Sequence, residues 1–248
     1  MANTTGKKIK DVAIIGGCAS LIYLTIGDIS YRLSLSRGGL NSKLITDMVA
    51  KSAAKKPKNE YKEKLDSMID DGADWFMHQD TEKIIIEKKH RQSLYADLIR
   101  PDKPSNVYII CIHGYTSSPA NMGIYAKKYH ELGYNVLLPS LRGHGDSEQD
   151  FITMGWNDRL DVIEWINYIA ERHPESKIIL HGVSMGAATT MMATGEKLPE
   201  NVKAAIEDCG YTSAWDILGI RLTKSIKLPR FPFLYSACLL YTSDAADE

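Results

Sequence analysis

One pentad in this 248-residue chain has the makings of a reactive serine: Gly182-Val183-Ser184-Met185-Gly186, preceded by His181. A glycine two places to either side lets the backbone turn sharply enough to hold Ser184 in a strained conformation with its hydroxyl projecting. A serine hydroxyl is a weak nucleophile unaided, so acyl transfer also needs a base and hydrogen-bond donors for the oxygen that gains charge. The spacing predicts one donor in the backbone amide of Met185, at the start of a helix. A second is expected in the loop "HGYTSSP", where Gly114 allows a tight path and the Tyr115 amide is the expected donor. The base is the difficulty: all seven histidines precede Ser184, and His181 is the last of them. His113 precedes a turn, and is expected to pack in its loop and bond to backbone.

These residues need elements to carry them. "EKIIIEKK" and "SLYADLIR" read as two antiparallel-type strands, and "NVYIICIHG" is a continuous apolar run suited to a strand buried on both faces. Met122, Tyr125, Ala126 and Tyr129 follow helical spacing, and so do Val162, Trp165, Ile166 and Ile169. "YNVLLPS", "KIILHG" and "VKAAIEDCG" complete an alternation of strand and helix, with residues 185–197 as the helix after Ser184. Such alternation predicts a mostly parallel sheet covered on both faces, with its chemistry at the carboxyl ends of the strands. His113, the run Arg142 to Ser147, Ser184 and Asp208 all fall at such ends.

Composition narrows the partners. Hydrophobic residues at 44% and charged residues at 25% suit one globular core, and a net charge of -1 argues against a nucleic-acid surface. The four cysteines, Cys18, Cys111, Cys209 and Cys238, are scattered without zinc-ligand or disulfide spacing. Cys111 and Cys209 sit in runs that read as buried strands, where a thiol acts as a small hydrophobe. No metal and no cofactor is expected. "GHGDSE" also lacks the third glycine of a dinucleotide fingerprint, having Glu148 in its place.

Residues 12–26, "VAIIGGCASLIYLTI", carry no charge and follow Lys7, Lys8 and Lys10. With their flanks they approach the ~20 residues of a bilayer-crossing helix, so residues 1–37 are expected to be an N-terminal membrane anchor. The lysines before it favour a single pass with the main domain on the extracytoplasmic side. Residues 38–80 read as a helical connector: Leu44, Ile45, Met48 and Val49 share one face, Pro57 interrupts, and Tyr61, Leu65, Met68 and Ile69 begin a second helix.

"HGYTSSP", "LLPSLRGHGDS" and "HGVSMGAATT", in this order and spacing, resemble the α/β-hydrolase superfamily. Within it they are similar to the serine aminopeptidase and monoacylglycerol-lipase-like group, which includes membrane-anchored bacterial members. The resemblance covers residues 81–237 and implies an α/β-hydrolase fold, with Ser184 as nucleophile and Tyr115 and Met185 as oxyanion donors. It implies that Arg142, His144 and Asp146 form a hydrogen-bonded scaffold beside the pocket, and that residues 211–237 begin a cap. Acid and base would follow the nucleophile; Asp208 is at a position that some members use for the acid, though its segment more commonly supports the pocket wall, and Asp216 at the start of the cap is a weaker candidate. The absence of the usual acid and base has an expected cause in "CLLYTSDAADE", residues 238–248, which back-translates to a transposon-end sequencing adapter and reads as a non-native tail. The intact protein is then expected to be a membrane-anchored serine hydrolase cleaving a small ester or amide, acyl- or lipid-like substrates included, with the chain as written inactive and its sheet incomplete at the C-terminus, leaving an unpaired edge. The reading from another class is a non-catalytic membrane-anchored binding module of the same fold.

Overall fold

A computed structural model describes residues 2–37, 60–87 and 93–244, with side chains in the first stretch described from residue 18 onward. The described residues divide into two compact units, one within Met1–Ala54 and Ser213–Glu248, the other within Lys55–Thr212.

The second unit holds the sheet. Its strands are β1 (Glu82–Ile86), β2 (Leu94–Ile99), β3 (Val107–Ile112), β4 (Asn135–Pro139), β5 (Lys177–Val183) and β6 (Val202–Asp208), in the spatial order β1-β2-β4-β3-β5-β6. The pairs β1/β2 and β2/β4 are antiparallel, and the pairs β4/β3, β3/β5 and β5/β6 are parallel. The expected antiparallel start and parallel body are both present. β3 is buried because it is central: Ile109, Ile110, Cys111 and Ile112 are all fully enclosed, which is why its sequence lacks polar alternation. Pairing of Ile112 with Gly182 and of Val183 with Asp208 brings the carboxyl ends of β3, β5 and β6 level, and so aligns the loops that follow them.

β6 departs from the buried-strand reading of its own run. It lies at the end of the sheet, pairs with β5 alone, and is exposed from Lys203 to Asp208. Cys209 is likewise exposed, so the buried-strand reading holds for Cys111 and fails for Cys209. The apolar run "VKAAI" looks the same whether its faces are covered or bare, because sequence period reports the strand and not its neighbours.

Helices α2 (Glu60–Met77), α3 (Gly123–Glu131), α4 (Asp158–Arg172) and α5 (Met185–Thr194) belong to this unit. A short 3-10 turn, Pro119–Met122, leads into α3, where Pro119 supplies a preset φ and no needed amide is lost. In α4 the predicted face is the buried one: Val162, Trp165, Ile166 and Ile169 are enclosed. α2 behaves otherwise, since Tyr61, Leu65 and Met68 are exposed and it buries Gly72 and Phe76 instead. Phe76 joins Met122, Ala126, Cys111 and Val136 in one apolar cluster. Glycine is required on both sides of this contact, since a Cβ on Gly72 would stand 2.3 Å from Ile124 N and one on Gly123 2.0 Å from Gly72 O.

The first unit contains α1 (Ala2–Leu35), α6 (Ala214–Arg221), a π-helical stretch (Leu222–Ile226) and α7 (Phe233–Asp244). α1 and α7 cross closely at Gly27, where a Cβ would meet Ser236 Cβ at 2.8 Å. Tyr31, Leu35, Leu234 and Ala237 are buried in this unit. Among the described residues no helix is long and apolar enough to cross a membrane. The anchor expected over residues 12–26 lies within α1, but the side chains of residues 12–17 are outside the described residues. The connector helix expected around Leu44 to Val49 also lies outside them.

Candidate active site

Ser184 stands between β5 and α5 with φ 56° and ψ −111°. A non-glycine residue with positive φ is uncommon and persists only where its surroundings over-determine it. Two glycines and one amide do so here. A Cβ on Gly182 would come within 2.2 Å of Gly186 O, and one on Gly186 within 2.0 Å of Ile112 O, so neither position admits a side chain. The Ser184 amide donates to Asp208 O at 2.8 Å, and Ser184 O accepts from the Ala188 amide at 3.0 Å in the first turn of α5.

α5 is almost wholly buried from Met185 to Thr190. Thr189 and Thr190 satisfy their hydroxyls by donating to Met185 O and Gly186 O, at 2.8 and 2.9 Å. Met185 occupies the first helical position, where an amide has no partner within its own helix. That amide and the positive end of the helix lie directly beside the serine. The loop after β3 approaches from the other side: a Cβ on Gly114 would be 3.4 Å from Ser184 Cβ and 3.9 Å from Ser184 Oγ. Tyr115, next in that loop, is half-buried.

Arg142, His144 and Asp146 are held in a hydrogen-bonded scaffold. Arg142 Nε donates to Asp161 at 2.7 Å in a largely buried ion pair, and its amide donates to Asp158 at 3.1 Å. Asp158 is fully enclosed and also accepts from Thr153 Oγ1 at 2.6 Å and the Gly155 amide at 2.9 Å; burial pushes its carboxyl pKa up against these bonds. Asp146 faces Lys83 at 3.0 Å. His113 accepts from the Leu141 amide and faces Gly114 O, and burial, with His144 nearby, lowers its pKa to about 3.

Asp208 is engaged on the α3 face of the sheet. Its carboxylate accepts from Tyr125 Oη at 3.0 Å. Below it, Tyr129 Oη and His181 Nδ1 are 2.8 Å apart, and the Tyr125 and His181 rings meet edge to face at 4.5 Å. Burial raises the pKa of both tyrosines to about 12 and lowers that of His181. Sequence reasoning missed this cluster. The signal was Tyr125 and Tyr129 one helical turn apart, read only as an apolar face. Among the described residues, no group of three or more His, Cys, Asp or Glu is placed to hold a metal ion.

A family model described as alpha/beta hydrolase fold matches residues 107–226. The chain is 28% identical over 160 residues to "Uncharacterized protein YqkD" of Bacillus subtilis (strain 168), covering 64% of this chain and 52% of that protein. It is 31% identical over 90 residues to "Thermostable monoacylglycerol lipase" of Bacillus sp. (strain H-257), covering 34% of each. The chain thus spans about half the length of the first relative and about a third of the second. Among solved structures it is similar to the Pyrococcus furiosus esterase Pf2001, with TM-score 0.54, 26% identity and 68% of each chain covered. The strand order, the strained turn at Ser184 and these matches lead to one conclusion: the chain has the alpha/beta hydrolase fold.

Proposed function

We propose that this protein is a serine hydrolase that cleaves a carboxylic ester or amide through an acyl-enzyme. Ser184 Oγ attacks the carbonyl carbon as its proton passes to an imidazole base, and the Tyr115 and Met185 amides take up the charge on the carbonyl oxygen. The imidazole returns the proton to the departing alcohol or amine, and water then releases the acid and regenerates the serine. The observation that carries this reading is Ser184 at φ 56° between two glycines that admit no side chain. Similarity to an esterase and a monoacylglycerol lipase favours ester over amide, with an acyl-type substrate.

This mechanism needs an imidazole base and a carboxylate to orient it. His113 and His144 have both ring nitrogens facing backbone groups, and His181 shares Nδ1 with Tyr129. Asp208 remains the one described candidate for the acid, though Tyr125 already occupies it. The chain as written is therefore expected to turn over esters several powers of ten more slowly than a complete triad. For residues 12–26 we propose a membrane anchor with the catalytic unit extracytoplasmic. Exposure of Leu21, Ile22, Leu24, Ile29 and Leu33 on α1 supports an apolar surrounding for that helix.

A fluorophosphonate probe tests the chemistry. In a longer form that carries a base, labelling should occur at Ser184 and vanish in Ser184→Ala, with mass spectrometry locating the adduct. The engagement of His113, His144 and His181 by other groups favours a second reading, a non-catalytic membrane-anchored binding module. Labelling of a longer form that ignores Ser184→Ala, or fails altogether, would decide for the module.

A further inference from the structure

The loops after β3 and β4 exchange histidines. His113, from the first loop, accepts at Nε2 from the Leu141 amide of the second at 3.1 Å. His144, from the second, accepts at Nε2 from the Thr116 amide of the first at 3.0 Å. Backbone amides only donate, so each Nε2 is the unprotonated nitrogen and each proton is on Nδ1. The Nδ1–H groups then donate within their own loops, from His113 to Gly114 O at 2.9 Å and from His144 to Arg142 O at 2.8 Å. The rings meet edge to face with centroids 4.9 Å apart, and both side chains are buried.

Between the anchored groups sits Tyr115. Its predecessor Gly114 is held at the carbonyl by His113, and its successor Thr116 at the amide by His144. Thr116 also has φ 55°, an unfavourable conformation for a β-branched residue that needs such external restraint. We propose that this exchanged pair of imidazoles positions the oxyanion loop, fixing the Tyr115 amide relative to Ser184 before an acyl group arrives. The inference rests on the reading of Tyr115 as an oxyanion donor. His113 and His144 are positioning residues in it, neither touching the reacting atoms.

The test compares the wild-type chain with His144→Ala and His144→Gln, since a glutamine oxygen can accept from the Thr116 amide where Nε2 does. The saturating rate of Ser184 modification by a fluorophosphonate should fall about 100-fold in His144→Ala, at unchanged half-saturating concentration. His144→Gln should recover most of that rate, and amide exchange at Thr116 should quicken in the alanine variant alone. Glutamine as slow as alanine, or all three chains labelled alike, would overturn the proposal. If all three chains resist the probe for want of a base, the serine chemistry is judged by labelling of a longer form, and the exchanged pair separately by imidazole nitrogen spectra and amide exchange. Nδ1–H rings with protected Thr116 and Leu141 amides uphold it, and Nε2–H rings or unprotected amides refute it.

Discussion

Ser184 lies between two unlike neighbours. Towards β3 and β4 everything is enclosed: four successive residues of β3 are fully buried, and the loops beyond are tied to each other by two histidines and to α4 through Arg142. Towards β6 the strand is exposed almost throughout, and its last carboxylate is held by one tyrosine. The difference separates two parts of hydrolase chemistry. The groups proposed to stabilise a charged intermediate belong to the enclosed side, where burial and the histidine hydrogen bonds set them. The one described candidate for the acid, Asp208, belongs to the open side.

The largest expected effect is at the seam between the two. Gly186→Ala would push a Cβ against Ile112 O at 2.0 Å, a backbone atom that cannot yield. A loss on the order of 3 kcal/mol or more is expected in urea unfolding, or no folded protein at all. A folded Gly186→Ala of normal stability would show that the enclosed side is looser than described. Next comes a matched pair of truncations. Ile110→Ala, fully buried on β3, should cost about 2–5 kcal/mol, whereas Ile206→Ala, 41% exposed on β6, should cost under about 1 kcal/mol. Equal costs would erase the contrast.

The most gradual effect is a pH slope. Folded His113 stays neutral down to about pH 3, while an unfolded histidine takes a proton near 6.5. The unfolded chain therefore binds more protons between those values. The stability that comes from keeping His113 neutral is fully present above pH 6.5, and is lost as pH falls towards 3, at about 1.4 kcal/mol per pH unit. Urea midpoints measured from pH 7 to 4.5 in wild type and His113→Gln should diverge, the variant having the shallower slope. Parallel slopes would mean that His113 is not the group enclosed.

Much of the enclosed side was legible in sequence, for a physical reason. A strand buried on both faces must be apolar at every position, so "VYIICI" announced itself, and a turn that excludes side chains must carry glycine, so Gly182 and Gly186 flagged Ser184. The histidine exchange was only half legible. That His113 would bond to backbone followed from its place before a turn, but its partner amide is 28 residues away, and only the sheet brings the loops together. The exposure of β6 was illegible in its own run, because an edge strand and a central one share the same period, and was expected only from the incompleteness of the sheet. The Tyr125–Asp208 contact was hidden likewise, since its partners are 83 residues apart.

The crossing of Gly72 with Gly123 sets a boundary for anyone trimming this protein. Where a Cβ would lie 2.0 Å from a facing carbonyl, the two helices touch backbone to backbone, and neither can be replaced by solvent without baring what lies beneath. Starting the chain at β1 would discard α2 and strip Phe76 from Met122, Ala126 and Val136. A shortened chain that keeps this cluster covered accordingly begins no later than Glu60, one whole helix ahead of the first strand.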